Sequence, residues 1–225
     1  MPPAFPNRRH FLGGAAAAAL ATGLPWSGLG ATANPSFSPD EWLDKLTGAH
    51  RCLFDFPEHG AGFPLLHMYN YLETYKSAYA TKPGEVNAVG TFYFAGPTSG
   101  FPLGFNDAMW AKYKFGTLLN LTDPKTGKPS ERNMFFQPMA GDPVFFGGQP
   151  AAASIENLQK NGALFLVCNN ALKLWVSQLA AGGGSAAAIE HDLRTNTLPG
   201  VVIVPAMVIA IEKAQSAGIA YNKQG

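Results

Sequence analysis

The chain has 225 residues, 16 of them basic and 15 acidic, for a net charge of +1. A length of this order suits one domain. A balance so close to zero argues against nucleic-acid or anionic-membrane partners, which need a basic surface to release counterions.

The chain opens with a targeting pattern. "NRRHFLGG" (7–14) places an arginine pair before Phe11 and Leu12, and an alanine-rich run and the small-residue site "ATA" (31–33) follow. This is a charged region, a short apolar region and a cleavage site in the order of a secretory signal. The arginine pair resembles the twin-arginine export signal, which is read by a receptor and is not an anchor. The apolar run is shorter than the ~20 residues that span a bilayer. Cleavage after Ala33 leaves 192 residues with no stable membrane span. Loss of Arg8 and Arg9 then leaves 14 basic against 15 acidic residues.

The expected elements follow in order. Residues 34–37 are a polar leader. "SPDEWLDKLTG" (38–48) predicts a helix capped by Ser38, with Pro39 at its first position, Glu41 completing a capping box and Gly48 closing it. "HRCLFDF" (50–56) predicts a strand. Residues 63–80 predict a long amphipathic helix with an apolar stripe that includes Leu65, Met68 and Leu72. Its Tyr69, Tyr71, Tyr75 and Tyr79 suit core and subunit contacts. A strand over 85–96 comes next, then the loop "GPTSGFPLG", then a helix over 108–116 capped by Asn106 or Asp107 and stopped by Gly116. A short helix over 154–162 has Ser154 as its cap. "ALFLVC" (163–168) is the third strand, and a helix follows it to Gly182. Further on come a small helix over 185–194, a fourth strand over 200–205, a helix over 206–218 and a short edge strand at the end.

Alternating strands and helices imply a parallel sheet with right-handed crossovers. The expected fold is α/β, a three-layer α/β/α sandwich around a mainly parallel open sheet. Residues 120–153 fit this scheme badly. They hold five prolines together with "MFF" and "VFF", and loops beyond ~12–15 residues in a compact domain are usually lids, binding loops or disordered segments. Three outcomes stand open for this insert: it folds over a pocket, it packs on a neighbouring subunit, or it packs on its own domain.

Ligands of open α/β sheets gather beyond the carboxyl ends of the strands. Four segments should meet there: 55–62, 95–104, 168–171 and 204–207. Cys168 is the leading candidate. If Asn169 or Asn170 caps the next helix, the sulfur lies beside a helix N-terminus, whose free amides favour an anion. A thiolate there could carry a persulfide or attack a sulfur donor. The alternative is a small buried apolar residue, since free cysteines are commonly buried. Export to an oxidising compartment invites a disulfide between Cys52 and Cys168, but the two stand at opposite ends of their strands. Four or five residues at ~3.3 Å each exceed the ~4.4–6.8 Å between the Cα atoms of a disulfide.

His59 and Glu58 follow the first strand on the same edge, where His59 could act as a general base or orient a ligand; the alternative is an exposed turn. Thr98 and Ser99 in "GPTSG" could form an anion-binding nest or a plain connection. Asp55, His59 and His67 have no recognised metal spacing, and nothing in the sequence names a cofactor.

"ALFLVCNNAL" and the ending "LPGVVIVPAMVIAIEKAQSAGIAYNKQG" resemble the DsrE/DsrF-like family. The shared pattern is a strand ending in Cys-x-Asn, a Leu-Pro-Gly strand ending at a proline, and a helix closing on Gln215, Gly218 and Tyr221. The likeness is good over about 160–225 and looser upstream. It implies a doubly wound α/β fold, a homo-oligomer and, in some members, a sulfur-carrying cysteine that maps onto Cys168. The expected function is an exported sulfur carrier or sulfurtransferase-like protein acting on a small sulfur compound. The alternative is a non-catalytic oligomeric module that binds a ligand or cofactor under the 120–153 arm.

Overall fold

The computed structural model describes residues 39–139, 142 and 152–224. The signal, the leader, the Ser38 cap and most of 140–151 lie outside the described residues. Five strands form one parallel sheet: β1 (His50–Asp55), β2 (Val86–Phe92), β3 (Ala163–Cys168), β4 (Val202–Val204) and β5 (Ala220–Lys223). Their order is β4-β3-β2-β1-β5. Every residue of β2 and β3 is buried, as expected where both faces of a parallel sheet are covered. The helices are α1 (Phe63–Ala78), α2 (Asp107–Tyr113), α3 (Phe115–Leu118), α4 (Ile155–Lys160), α5 (Asn169–Ala180), α6 (Ala186–Thr195) and α7 (Met207–Ser216). The fold is the three-layer α/β/α sandwich.

The direction of each crossover decides which face a helix covers. From β1 through β2 and β3 to β4 the chain steps the same way across the sheet, so right-handed connections place α1, α4 and α5 on one face. Packing agrees. Tyr71 of α1 meets Phe54 edge-on at 5.4 Å. A Cβ on Gly90 would lie 2.6 Å from the Phe165 ring and 3.1 Å from Met68 Sδ, so only glycine admits this approach of α1. From β4 to β5 the chain returns the other way, and α7 covers the opposite face. The segment before β1 joins it there, tied by Lys213 to Asp40 at 3.7 Å. The reversal falls between β3 and β4. Their carboxyl ends flank the crevice where such sheets bind ligands.

The structure corrects three local expectations. Residues 39–48 do not form an α-helix. A turn leads to a 3-10 helix at Leu43–Lys45, and Leu46 leaves helical geometry. Burial of Trp42 and Leu46 and a 2.7 Å bond from the Gly48 amide to Asn87 Oδ1 pull the chain toward β1 before a helix can extend. Asn106 does cap α2, accepting from the Met109 amide at 3.2 Å. Gly116 does not stop it. Lys114 breaks the helix at φ 52, and Gly116 sits inside α3, where a Cβ would lie 2.2 Å from the Ser130 carbonyl oxygen. The second expected strand is also shorter. β2 ends at Phe92 because Phe94 turns the chain at φ 76.

The described part of the insert packs on its own core. Met134 and Phe135 are buried, and the Asn133 side-chain amide donates to the Leu103 and Phe105 carbonyls, both at 2.9 Å. Arg132 clasps two aspartates, with Nε 2.8 Å from Asp123 Oδ2 and Nη1 2.8 Å from Asp142 Oδ2. A guanidinium held by two partly buried carboxylates fixes this loop from within.

Candidate functional site

Cys168 ends β3 opposite Val204 of β4, at the point where the crossovers reverse. The expectation that Asn169 or Asn170 caps α5 is overturned. Cys168 itself is the capping residue, in extended geometry (φ −80, ψ 121), and its Sγ accepts the Ala171 amide at 3.5 Å. Asn169 instead accepts from Arg194 Nη2 at 2.5 Å, and Asn170 is exposed. A second amide reaches the sulfur from the opposite face of the sheet. Ala206, extended at φ −151 and ψ 136, turns the chain into α7, so that the Met207 N–H donates to Sγ at 3.3 Å. Two helix N-termini therefore converge on one sulfur atom. Their unpaired amides carry partial positive charge that favours a bound anion. The residue keeps 5% of its surface exposed.

Cys52 has neither feature. Both cysteines are free thiols. Cys52 pairs with Ala88, and Ala88 with Ala163, so five positions of ~3.3 Å separate it from Cys168 along the strands. Strand parity also points the two side chains to opposite faces. Burial pushes the Cys52 thiol up to about 11.

His59 and Glu58 stand in the loop after β1, and no hydrogen bond described here joins either to Cys168. His59 Nδ1 accepts from the Ala61 amide at 3.0 Å and caps the 3-10 turn Gly60–Gly62. Burial holds its imidazole below the usual range, against the opposing pull of the Pro97 backbone and Glu58. Glu58 is exposed and forms a backbone bridge with Ser99. Thr98 contributes its carbonyl to the His59 amide at 2.7 Å. Ser99 is bonded within the loop, its amide donating to the Gly96 carbonyl at 3.2 Å. Its buried hydroxyl donates to Phe94 O at 3.0 Å and accepts the Phe101 amide at 3.1 Å. The loop 96–100 thus latches the strand ends together. Phe94, just before this loop, is the strained point, half-exposed at positive φ, and its carbonyl also accepts from Trp175 Nε1 at 3.0 Å.

A second cluster was not singled out from the sequence. Asp55 ends β1 and is buried. Oδ1 accepts from Tyr93 at 2.9 Å and Thr91 at 3.3 Å, and Oδ2 accepts from Tyr221 at 2.7 Å. Among the described residues no ion pair involves this carboxylate. Burial, and then the Asp55 charge, push the Tyr93 phenol above its ordinary range. The bond to Asp55, followed by burial, pushes Tyr221 up to about 12. The register places the whole cluster on the Cys168 face of the sheet. Leu53 pairs with Tyr221, Thr91 pairs with Leu166, and Asp55, Tyr93 and Cys168 lie two residues beyond Leu53, Thr91 and Leu166 respectively. An aspartate closing an apolar strand was the available signal in the sequence; its partners come from two other strands and could not be read from spacing.

Two surface clefts lie elsewhere. One of 880 Å³ opens at the amino edge of the sheet between α1 and α4, lined by Tyr69, Lys76, Lys82, Asn157 and Lys160 among others. Another of 660 Å³ runs along α1 and β5, lined by His67, Tyr71, Tyr75, Tyr79 and Gln224 among others. Neither is lined by Cys168. Within it His67 Nδ1 is hydrogen-bonded to Gln224 Oε1. Among the described residues no group of three His, Cys, Asp or Glu side chains is placed to hold a metal ion, and no helix is long and apolar enough to cross a membrane.

Comparison with known proteins matches one family model, the twin-arginine translocation pathway signal sequence, over residues 6–25. No curated protein matches. Among solved structures, the chain is similar to a protein of unknown function from Methanobacterium thermoautotrophicum. The identity is 18%, with 78% of this chain and 99% of that chain covered at a TM-score of 0.39. What the comparisons establish is a destination: the chain carries the signal for export by the twin-arginine route.

Proposed function

We propose that the exported domain handles sulfur, with Cys168 cycling between thiol and persulfide. The observation that carries this reading is the pair of amides, from Ala171 and Met207, directed at Sγ from the starts of two helices. Such donors stabilise negative charge on a thiolate and on the terminal sulfur of a persulfide alike. The small exposed fraction of Cys168 suits a small sulfur compound better than a bulky donor. The resemblance of 160–225 to the DsrE/DsrF-like family points the same way and extends it to a homo-oligomer. An apolar margin fits that extension: Val208 and Ile209 are 70% and 51% exposed near the start of α7, the helix that follows the partly open edge strand β4. Such patches mark protein contacts.

The test is to incubate the protein with thiosulfate or polysulfide, trap thiols with an alkylating mass tag, and read each cysteine by peptide mass. A persulfide on Cys168, absent in Cys168→Ser, is expected. An unmodified Cys168 overturns the reading. The second reading, a non-catalytic module binding a small ligand or cofactor, gains from the 880 Å³ cleft with Lys76, Lys82 and Lys160 on its wall. A co-purifying ligand, with properties unchanged in Cys168→Ser, would favour it.

A further inference from the structure

The Asp55 cluster has no role in the reading above, yet it stands on the same face and at the same edge as Cys168. Phe92 of β2 pairs with Val167 of β3, and Tyr93, the first residue past β2, and Cys168, the last of β3, are the next positions along the two chains, where paired strands lie ~4.8 Å apart. The Tyr93 phenol donates to Asp55 at 2.9 Å, on the β1 side away from Cys168. The order across the sheet is sulfur, phenol, carboxylate. A buried carboxylate without a cation is costly to keep, and three hydroxyl donors satisfy this one without neutralising it. Among the described residues no lysine or arginine forms an ion pair with it. Lys223 is exposed and only pairs with Asp55 in backbone register. On α7, Lys213 is engaged with Asp40, and Glu212 accepts from Ser216.

We infer that Asp55, acting through the Tyr93 hydroxyl, accepts the proton that Cys168 loses as its sulfur attacks. This deepens the sulfur-handling reading and rests on it. With thiosulfate as donor, the Cys168 sulfur bonds to the outer sulfur of thiosulfate. The bond between that sulfur and the sulfonate group breaks, and its electron pair leaves with sulfite. The thiol proton passes through one water to the Tyr93 oxygen, as Tyr93 passes its own proton to Asp55. The products are a Cys168 persulfide anion, sulfite and a protonated Asp55. The outer sulfur moves at the sulfane level, and no external oxidant or reductant is required.

A built-in proton acceptor makes the rate of Cys168 modification flat with pH while the thiol is protonated and Asp55 ionised. Without it only thiolate reacts, and the rate climbs tenfold per pH unit. The experiment measures the pH profile of Cys168 alkylation by iodoacetamide in the intact protein, resolved from Cys52 by peptide mass. Asp55→Asn and Tyr93→Phe are expected to replace the plateau with the unit slope and to slow the reaction at pH 6 by about 100-fold, in the range of general-base effects. Tyr221→Phe, which frees only the other carboxylate oxygen, is expected to keep the plateau. A plateau retained in Tyr93→Phe overturns the inference, and that variant decides the matter even if Asp55→Asn fails to fold. A unit slope in the unmodified protein overturns it as well. Iodoacetamide carries no transferable sulfur, so this result and persulfide formation from thiosulfate can fail separately.

Discussion

Cys52 and Cys168 are buried to nearly the same depth, 6% and 5% exposed, on strands two apart in one sheet. Their surroundings are opposite. Cys52 faces the apolar layer beneath α1, in mid-strand, and its thiol donates weakly to the Leu53 carbonyl at 3.8 Å. Burial there acts alone and holds the proton on sulfur. Cys168 stands at a strand end where two helices begin, and its sulfur accepts rather than donates. Depth therefore does not separate an inert thiol from a candidate nucleophile. The sign of the backbone charge around it does.

The largest effect that tests this contrast is the ratio of alkylation rates in the unmodified protein at pH 8. A thiol held near 11 leaves about 0.1% thiolate there, so Cys168 is expected to react at least ~100-fold faster than Cys52. Peptide-resolved labelling measures this, and equal rates would remove the distinction. The second effect isolates one donor. Met207→Pro deletes the N–H that bonds to Sγ while keeping a residue suited to the first turn of a helix, and the extended Ala206 tolerates a following proline. The expected outcome is about a tenfold loss in the Cys168 rate at neutral pH, as for one charge-assisted bond. The helix content by circular dichroism should stay the same.

A third effect concerns Cys52 and stability. Its folded value lies above that of an unfolded thiol near 9, so the unfolded chain releases its proton first as pH rises. Its contribution is fully present below pH 9 and is lost as pH climbs toward 11. Cys52→Ala should flatten that alkaline decline in denaturant titrations and leave Cys168 labelling unchanged. The smallest effect is the same variant at pH 7, where a small buried truncation is expected to destabilise by about 1 kcal/mol.

Some of this organisation was legible in the chain. "ALFLVC" became β3 residue for residue because an apolar run sits between Gly162 and a helix. Ser154 caps its helix as expected, accepting from the Asn157 amide, and Ser185, expected inside its helix, caps it instead by accepting from Ala188. The N-terminal helix signals at 39–48 lost to tertiary packing, which needs Trp42 and Leu46 inside. Cys168 itself was legible, but its role as a cap was not, because a thiol is an unusual capping group and the neighbouring asparagines are common ones. The Asp55 cluster joins residues 166 positions apart. Only the register of three strands brings it together.

Both groups that bond to the Cys168 sulfur belong to the main chain. Almost any amino acid at 171 or 207 would supply the same hydrogen, so the identity of those residues carries no record of the site. What is written there is a route: the direction in which the polypeptide doubles back between two neighbouring strands. A search for this chemistry in other chains would do better to look for that reversal, with a cysteine at its hinge, than for a signature of letters.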